Sequence, residues 1–275
     1  MNNTIRVGGS GLLPPVVKHL LIINGLFFLA TYLLAQRGID LVSLFGLHYF
    51  SAPAFKPWQI ITYMFMHGGF GHIFFNMFAL WMFGSTLENV MGSKRFLVYY
   101  LVTGIGAALI HYLIIFFQIN PTVDLFNQFI ENPSLETYRY LVENNKVENF
   151  QSLLSQNLLV LQSRPQDLTE LVQIIFNLKN NYLNSFVIIG ASGSVFGLLL
   201  AFGMMFPNSE IYLYFLLPIK AKWFVILYGA IELIYGITGT ADGVAHFAHL
   251  GGMIFGFLLL MLWRKQDRDK KGYFM

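Results

Sequence analysis

Gly190-Ala191-Ser192-Gly193-Ser194-Val195-Phe196-Gly197 opens an apolar run that continues to Phe206, and it puts a serine where a hydrophobic helix begins. A hydroxyl flanked by glycines is not needed to cross a bilayer. Gly193, Gly197 and Ala201 recur every fourth residue, so they share one helix face and let a second helix approach backbone to backbone. Ala248-His249-Leu250-Gly251-Gly252 begins the last apolar run, where Gly252 and Gly256 repeat the spacing. Two helices that meet closely would then carry Ser192 and His249 near corresponding ends. A neighbouring imidazole is what a serine hydroxyl needs to become a nucleophile. Small residues also serve helix packing alone, so this pair does not decide between catalysis and architecture.

His67-Gly68-Gly69-Phe70-Gly71-His72-Ile73-Phe74-Phe75-Asn76 adds a third stretch. His72 and Asn76 are four apart, one turn from each other on one helix face. A polar pair facing lipid is costly, so both should point into the bundle. An Asn amide and a His ring N–H are suitable donors for the oxyanion that develops in acyl transfer.

These residues resemble the rhomboid intramembrane serine proteases. The resemblance rests on His67, His72 and Asn76, on Gly84-Ser85-Thr86-Leu87-Glu88, on Gly190-Ala191-Ser192-Gly193 and on Ala248-His249-Leu250-Gly251-Gly252, which arrive in the family's order. It implies a Ser-His dyad without an acidic third member, with Ser192 as nucleophile and His249 as general base. It further implies an oxyanion hole made by His72, Asn76 and the Ser192 N–H, with Gly190, Gly193 and Gly252 as supports. Phe196 falls where the family places a ring that stacks on the catalytic histidine. The implied substrates are transmembrane proteins cut in or beside their membrane segments. The runner-up reading is a rhomboid-like pseudoprotease that holds transmembrane clients without cleaving them; loss of Ser192 or His249 would mark it, and both are present.

Composition agrees with a polytopic membrane protein. Of 275 residues, 56% are hydrophobic and only 11% charged, with a mean hydropathy of +0.58. The formal charge of +3 and the lack of a basic patch interleaved with aromatics give no reason to expect nucleic acid. Cysteine is absent, which excludes disulfides, thiolate catalysis and cysteine metal sites. No metal and no cofactor are expected.

The expected fold is all-α: a six-transmembrane-helix rhomboid-like bundle with a helical extramembrane insertion between helices 3 and 4. Residues 1–117 would hold helices 1–3, residues 185–263 helices 4–6, and 264–275 a basic tail. The first span runs from Val16 to Leu34 and is an anchor; the 36–57 loop dips into the interface; the third span ends at Phe117. In the insertion, 118–184, apolar residues recur at helical spacing at Leu153, Leu154, Leu158 and Leu161, then at Leu168, Leu171, Val172 and Ile175. Pro133 and Pro165 suit helix starts. The insertion reads as an amphipathic cap on the membrane, or a lid beside the active-site mouth. Residues 238–243 read as a turn.

With six spans, Arg6, Lys18, Lys94, Arg95, Lys220, Lys222 and the tail all fall on one side, which should be cytoplasmic. Both termini are then inside a bacterial inner membrane, and the insertion, His67, Ser192 and His249 lie on the outer side. His246 is three before His249, but His249 carries the family motif. Glu232 is ionisable inside a span, hence either functional or a hydrogen-bonded core carboxyl. Glu88 is expected to partner backbone or basic groups.

Overall fold

In lipid a backbone must satisfy its own hydrogen bonds, and these apolar runs accordingly become helices. The computed structural model describes residues 13–147, 150–152, 154–156, 168–213, 216–239 and 244–272. Arg6, Leu153, Leu158, Leu161, Pro165, most of the 238–243 turn and the end of the tail lie outside the described residues or have undescribed side chains.

Helix α1 (Pro15–Ala35) starts with proline in its first turn, where the missing N–H costs nothing. Short helices α2 (Leu41–Phe45) and α3 (Gln59–Thr62) follow, the first capped by the Asp40 carboxylate, which accepts from the N–H groups of Val42 and Ser43. Helix α4 spans Phe70–Met91 with one π turn at Leu80–Gly84, and α5 runs from Ser93 to Glu131. Then come α6 (Leu135–Asn144), α7 (Leu168–Asn184), α8 (Ser192–Met205), α9 (Ala221–Thr238) and α10 (His246–Gly272). A two-stranded antiparallel ribbon, Glu210–Leu213 with Leu217–Lys220, joins α8 to α9.

One expectation changes. The third span does not end its helix at Phe117: α5 is 39 residues long and passes through Pro121. The polar residues after Phe117 mark the end of lipid-compatible composition, not the end of the helix. Of the six expected spans, five are long apolar helices and the sixth corresponds to a shorter one. Five helices among the described residues are long and apolar enough to cross a membrane, and the shorter apolar helix α8 has 14 residues. At 1.5 Å per residue α8 is about 21 Å long, short of a hydrocarbon core of about 30 Å. It compensates by burial, with Gly193, Ser194, Val195, Phe196, Gly197, Leu198, Leu199, Ala201 and Gly203 all inside the protein.

The glycine stripes divide their partners. A Cβ on Gly252 would sit 1.9 Å from the Gly193 carbonyl oxygen, so α8 and α10 touch there as the spacing predicts. Gly197 and Gly256 do not face each other. A Cβ on Gly197 would meet Thr103 at 2.6 Å and one on Gly256 the Tyr99 hydroxyl at 2.3 Å, so α5 wedges between the two helices one turn further on. The Tyr99 hydroxyl donates to the Gly197 carbonyl (2.9 Å) within this wedge.

Glu88 is a helix cap. Its carboxylate accepts from the N–H groups of Val16 (3.0 Å) and Val17 (2.8 Å) at the start of α1, and from the Ser93 hydroxyl (2.6 Å). Four orphan N–H groups open any helix, and a carboxylate there also meets the positive end of the helix dipole.

The chain divides into two compact units, residues 1–47, 56–111 and 188–275 in one and 48–55 and 112–187 in the other. The second has its own apolar core of Phe126, Phe129, Tyr138, Leu141, Leu154, Leu171 and Ile175. The Tyr138 hydroxyl there donates to the Leu154 carbonyl (2.9 Å). Ser134 and Thr137 form a reciprocal capping box at the start of α6, just past Pro133. The 168-171-172-175 spacing is realised in α7, where Leu171 and Ile175 are buried.

Candidate active site

Within the first unit, α8, α9, α10 and α4 each deliver one end to a common point. Gly190 turns the chain into α8 with φ +119°, a region that favours glycine, and its N–H donates to the Tyr63 carbonyl (2.9 Å). Any side chain at 190 would also collide with His72, since a Cβ there would lie 2.7 Å from His72 Nε2. Ser192 is the first residue of α8, so its N–H is one of the donors a helix leaves without an internal partner.

Ser192 Oγ lies 2.8 Å from His249 Nε2. Phe196, one turn along α8, stacks flat on the His249 imidazole with ring centroids 4.2 Å apart and planes 7° from parallel. Ser192, Phe196 and His249 are therefore brought together as their motifs predict. The neighbouring hydroxyl, Ser194, is turned away and donates to the Tyr100 carbonyl (2.7 Å).

His72 lies beside the turn at Gly190 that leads into α8, and Asn76 is one helical turn further along α4. The Gly68 N–H donates to His72 Nδ1 (3.4 Å), which leaves His72 Nε2 protonated and directed at Gly190. The Asn76 amide donates to the His72 carbonyl (2.8 Å) with one of its two N–H groups. His67 lies beside His72 with ring centroids 5.0 Å apart and is only 2% exposed. Burial pushes its pKa down to about 4, with the nearby His72 adding to the effect and the Phe65 backbone opposing it.

The other nitrogen of His249 departs from what the resemblance implied. His249 Nδ1 is 2.9 Å from Glu232 Oε2, and His246 Nδ1 is 2.7 Å from the same oxygen. A buried carboxylate thus stands where no acidic third group was expected. All three residues are less than one tenth exposed. The sequence signal was present, since Glu232 is an acid in an apolar span, but its partners were not identifiable. Glu232, His246 and His249 also offer one ligand atom each within 4.8 Å of one another. The two N···O separations are those of hydrogen bonds.

Charged side chains gather at the other end of this unit. Arg95 makes a bidentate ion pair with Asp267 (2.7 and 2.9 Å), and Arg264 donates to the Met204 carbonyl at the far end of α8. The site and these cationic residues therefore occupy opposite ends of α8 and α10.

The fold is that of a polytopic membrane protein in which a serine hydroxyl meets a buried imidazole beside a second histidine. The rhomboid domain model matches residues 54–119 and 167–266, and the chain belongs to the rhomboid family. Residues 120–166 fall outside the match, within the 118–184 segment that the motifs left unassigned. The chain is similar to rhomboid protease GluP of Bacillus subtilis, 40% identical over 52 residues, 19% of this chain and 10% of that one. It is also similar to the chloroplastic rhomboid-like protein 11 of Arabidopsis thaliana, 34% identical over 96 residues, 35% of this chain and 32% of that one. An uncharacterised mitochondrial rhomboid protein of Schizosaccharomyces pombe is 24% identical over 217 residues, 76% of this chain and 52% of that one. The matches thus span from a tenth to about half the length of these relatives.

Proposed function

We propose that this chain is an intramembrane serine endopeptidase that hydrolyses peptide bonds in or next to transmembrane segments of other membrane proteins. The observation that carries the reading is the 2.8 Å approach of Ser192 Oγ to His249 Nε2. His249 takes the Ser192 proton as the oxygen attacks the carbonyl carbon of the scissile peptide. The tetrahedral oxyanion is held by the Ser192 N–H, His72 Nε2–H and the second Asn76 amide N–H. His249 then returns the proton to the leaving amine, and water attacks the acyl-enzyme by the reverse sequence.

A helical peptide bond is shielded by its own hydrogen bonds. The substrate segment must unwind locally, which favours small or helix-breaking residues near its scissile bond. The clustering of Lys94, Arg95, Lys222 and Arg264 at the end away from Ser192 supports a cytoplasmic location for that end. With the shorter helix α8 counted as a sixth span, both termini are cytoplasmic, in a bacterial inner membrane, with the 118–184 insertion on the extracytoplasmic side.

The test is reaction with a serine-directed fluorophosphonate in detergent or liposomes. Covalent labelling at Ser192, absent from Ser192→Ala, is the expected result. A folded parent that does not react would instead favour client binding without cleavage.

A further inference from the structure

The proposed chemistry uses Ser192, His249, His72 and Asn76 and leaves a buried acid unexplained. Glu232 sits inside the apolar helix α9, where an ionised carboxylate survives only with strong compensation. What surrounds it is specific. A single oxygen, Oε2, receives both His249 Nδ1 (2.9 Å) and His246 Nδ1 (2.7 Å), from one turn of α10.

We propose that Glu232 is the positioning residue of a Ser192–His249–Glu232 array, fixing the orientation and tautomer of the His249 imidazole, while His246 pins the carboxylate. This rests on the reading of the site as a serine hydrolase and deepens it. An ionised carboxylate oxygen can only accept, so contact with two ring nitrogens requires Nδ1–H on both imidazoles. On His249 that leaves Nε2 with its lone pair facing the Ser192 hydroxyl at 2.8 Å, the form a general base needs. Were the carboxyl protonated on Oε2, it could donate to one imidazole only.

The arrangement also serves the second half of the proton transfer. When His249 has taken the serine proton, its imidazolium lies against Glu232 on one edge and flat against Phe196 on one face. The other titratable groups around it are His246 on its own helix, and His72 on α4 and His111 on α5, both close enough to interact electrostatically with His249. Among these groups Glu232 alone supplies negative charge. His246 gains its own partner from the same oxygen, so the acid is fixed from two positions one helical turn apart.

Glu232→Gln and Glu232→Leu separate the two contributions. A glutamine can place its amide oxygen at the Oε2 position and accept from both imidazoles, losing only the charge. A leucine removes the acceptor altogether. For cleavage of a single-span reporter in proteoliposomes, Glu232→Gln should lower kcat about tenfold to a hundredfold, and Glu232→Leu by about 10³ to 10⁴, with KM within threefold in both. The acid limb of kcat/KM, which reports protonation of the base in the free enzyme, should move to lower pH in Glu232→Gln because the imidazolium has lost its counter-charge. Unchanged kcat in Glu232→Gln and Glu232→Leu would overturn the proposal. So would losses that follow the melting temperature while the acid limb stays in place, since that is the mark of a purely structural acid. If the parent neither cleaves nor reacts with fluorophosphonate, the hydrolase reading itself has failed and this proposal falls with it; an active parent with an indifferent Glu232 overturns only the latter.

Discussion

Gly252 rests against Gly193 so closely that a single methyl group on the former would sit 1.9 Å from the latter's carbonyl oxygen. That contact lies one residue along α8 from Ser192 and three along α10 from His249. It therefore sets the distance at which the two side chains meet.

Replacing Gly252 with alanine must push the helices apart or tilt them. The expected cost is about 1–3 kcal/mol of stability, as for other overpacked sites, with a larger loss of activity because the Ser192–His249 distance opens. Gly25→Ala, where a Cβ meets nothing within 4 Å, should cost neither stability nor activity. Thermal unfolding in detergent together with reporter cleavage checks both halves.

Asn76→Ala removes one of the proposed oxyanion donors but spares the proposed nucleophile and base. The expected loss is about 10²–10³ in kcat with KM nearly unchanged, since the donor acts on charge that appears in the transition state. A rise in KM with kcat retained would assign Asn76 to substrate binding.

Glu88→Ala should destabilise the chain without touching chemistry. It orphans the Val16 and Val17 N–H groups and the Ser93 hydroxyl, at an expected cost of about 1–3 kcal/mol. A lowered melting temperature with unaltered fluorophosphonate reactivity per folded molecule is the signature.

His67 gives a pH dependence whose sign follows from its burial. Its folded pKa is held at about 4, below the ordinary histidine value of 6.5, so between those values the unfolded chain binds more protons. Stability should fall as pH drops through this window, by on the order of 3 kcal/mol in all, and level off below it. His67→Phe should flatten that slope relative to the parent in acid-unfolding curves.

Much of this site was legible because its residues lie in short local motifs. Ser192 with Gly190 and Gly193, His249 with Gly252, and His72 with Asn76 each announce themselves within a few positions, and one helical turn relates Phe196 to Ser192. Glu232 was visible as a charge in an apolar span, but its bond to His249 crosses 17 residues and two helices and leaves no periodicity. Glu88 was expected to partner backbone or basic groups and does cap backbone N–H groups, but which ones could not be read, because Val16 and Val17 lie more than seventy residues away and any sequence supplies such groups. The stripes of small residues gave the right contact at Gly193 and the wrong one at Gly197. Spacing says which face is smooth, and only the neighbouring volume, here Tyr99 and Thr103, says which helix fills it. The end of α5 escaped for a related reason: composition tracks the solvent around a helix, whereas hydrogen bonding sets its length.

The central claim is tested most directly by cleavage of a single-span reporter in proteoliposomes by the parent, Ser192→Ala, His249→Ala and His246→Ala. The account predicts cutting by the parent, none by Ser192→Ala or His249→Ala, and activity within about tenfold of the parent in His246→Ala, whose ring holds the acid and not the serine. Cleavage that survives Ser192→Ala, or that vanishes in His246→Ala while persisting in His249→Ala, would contradict it.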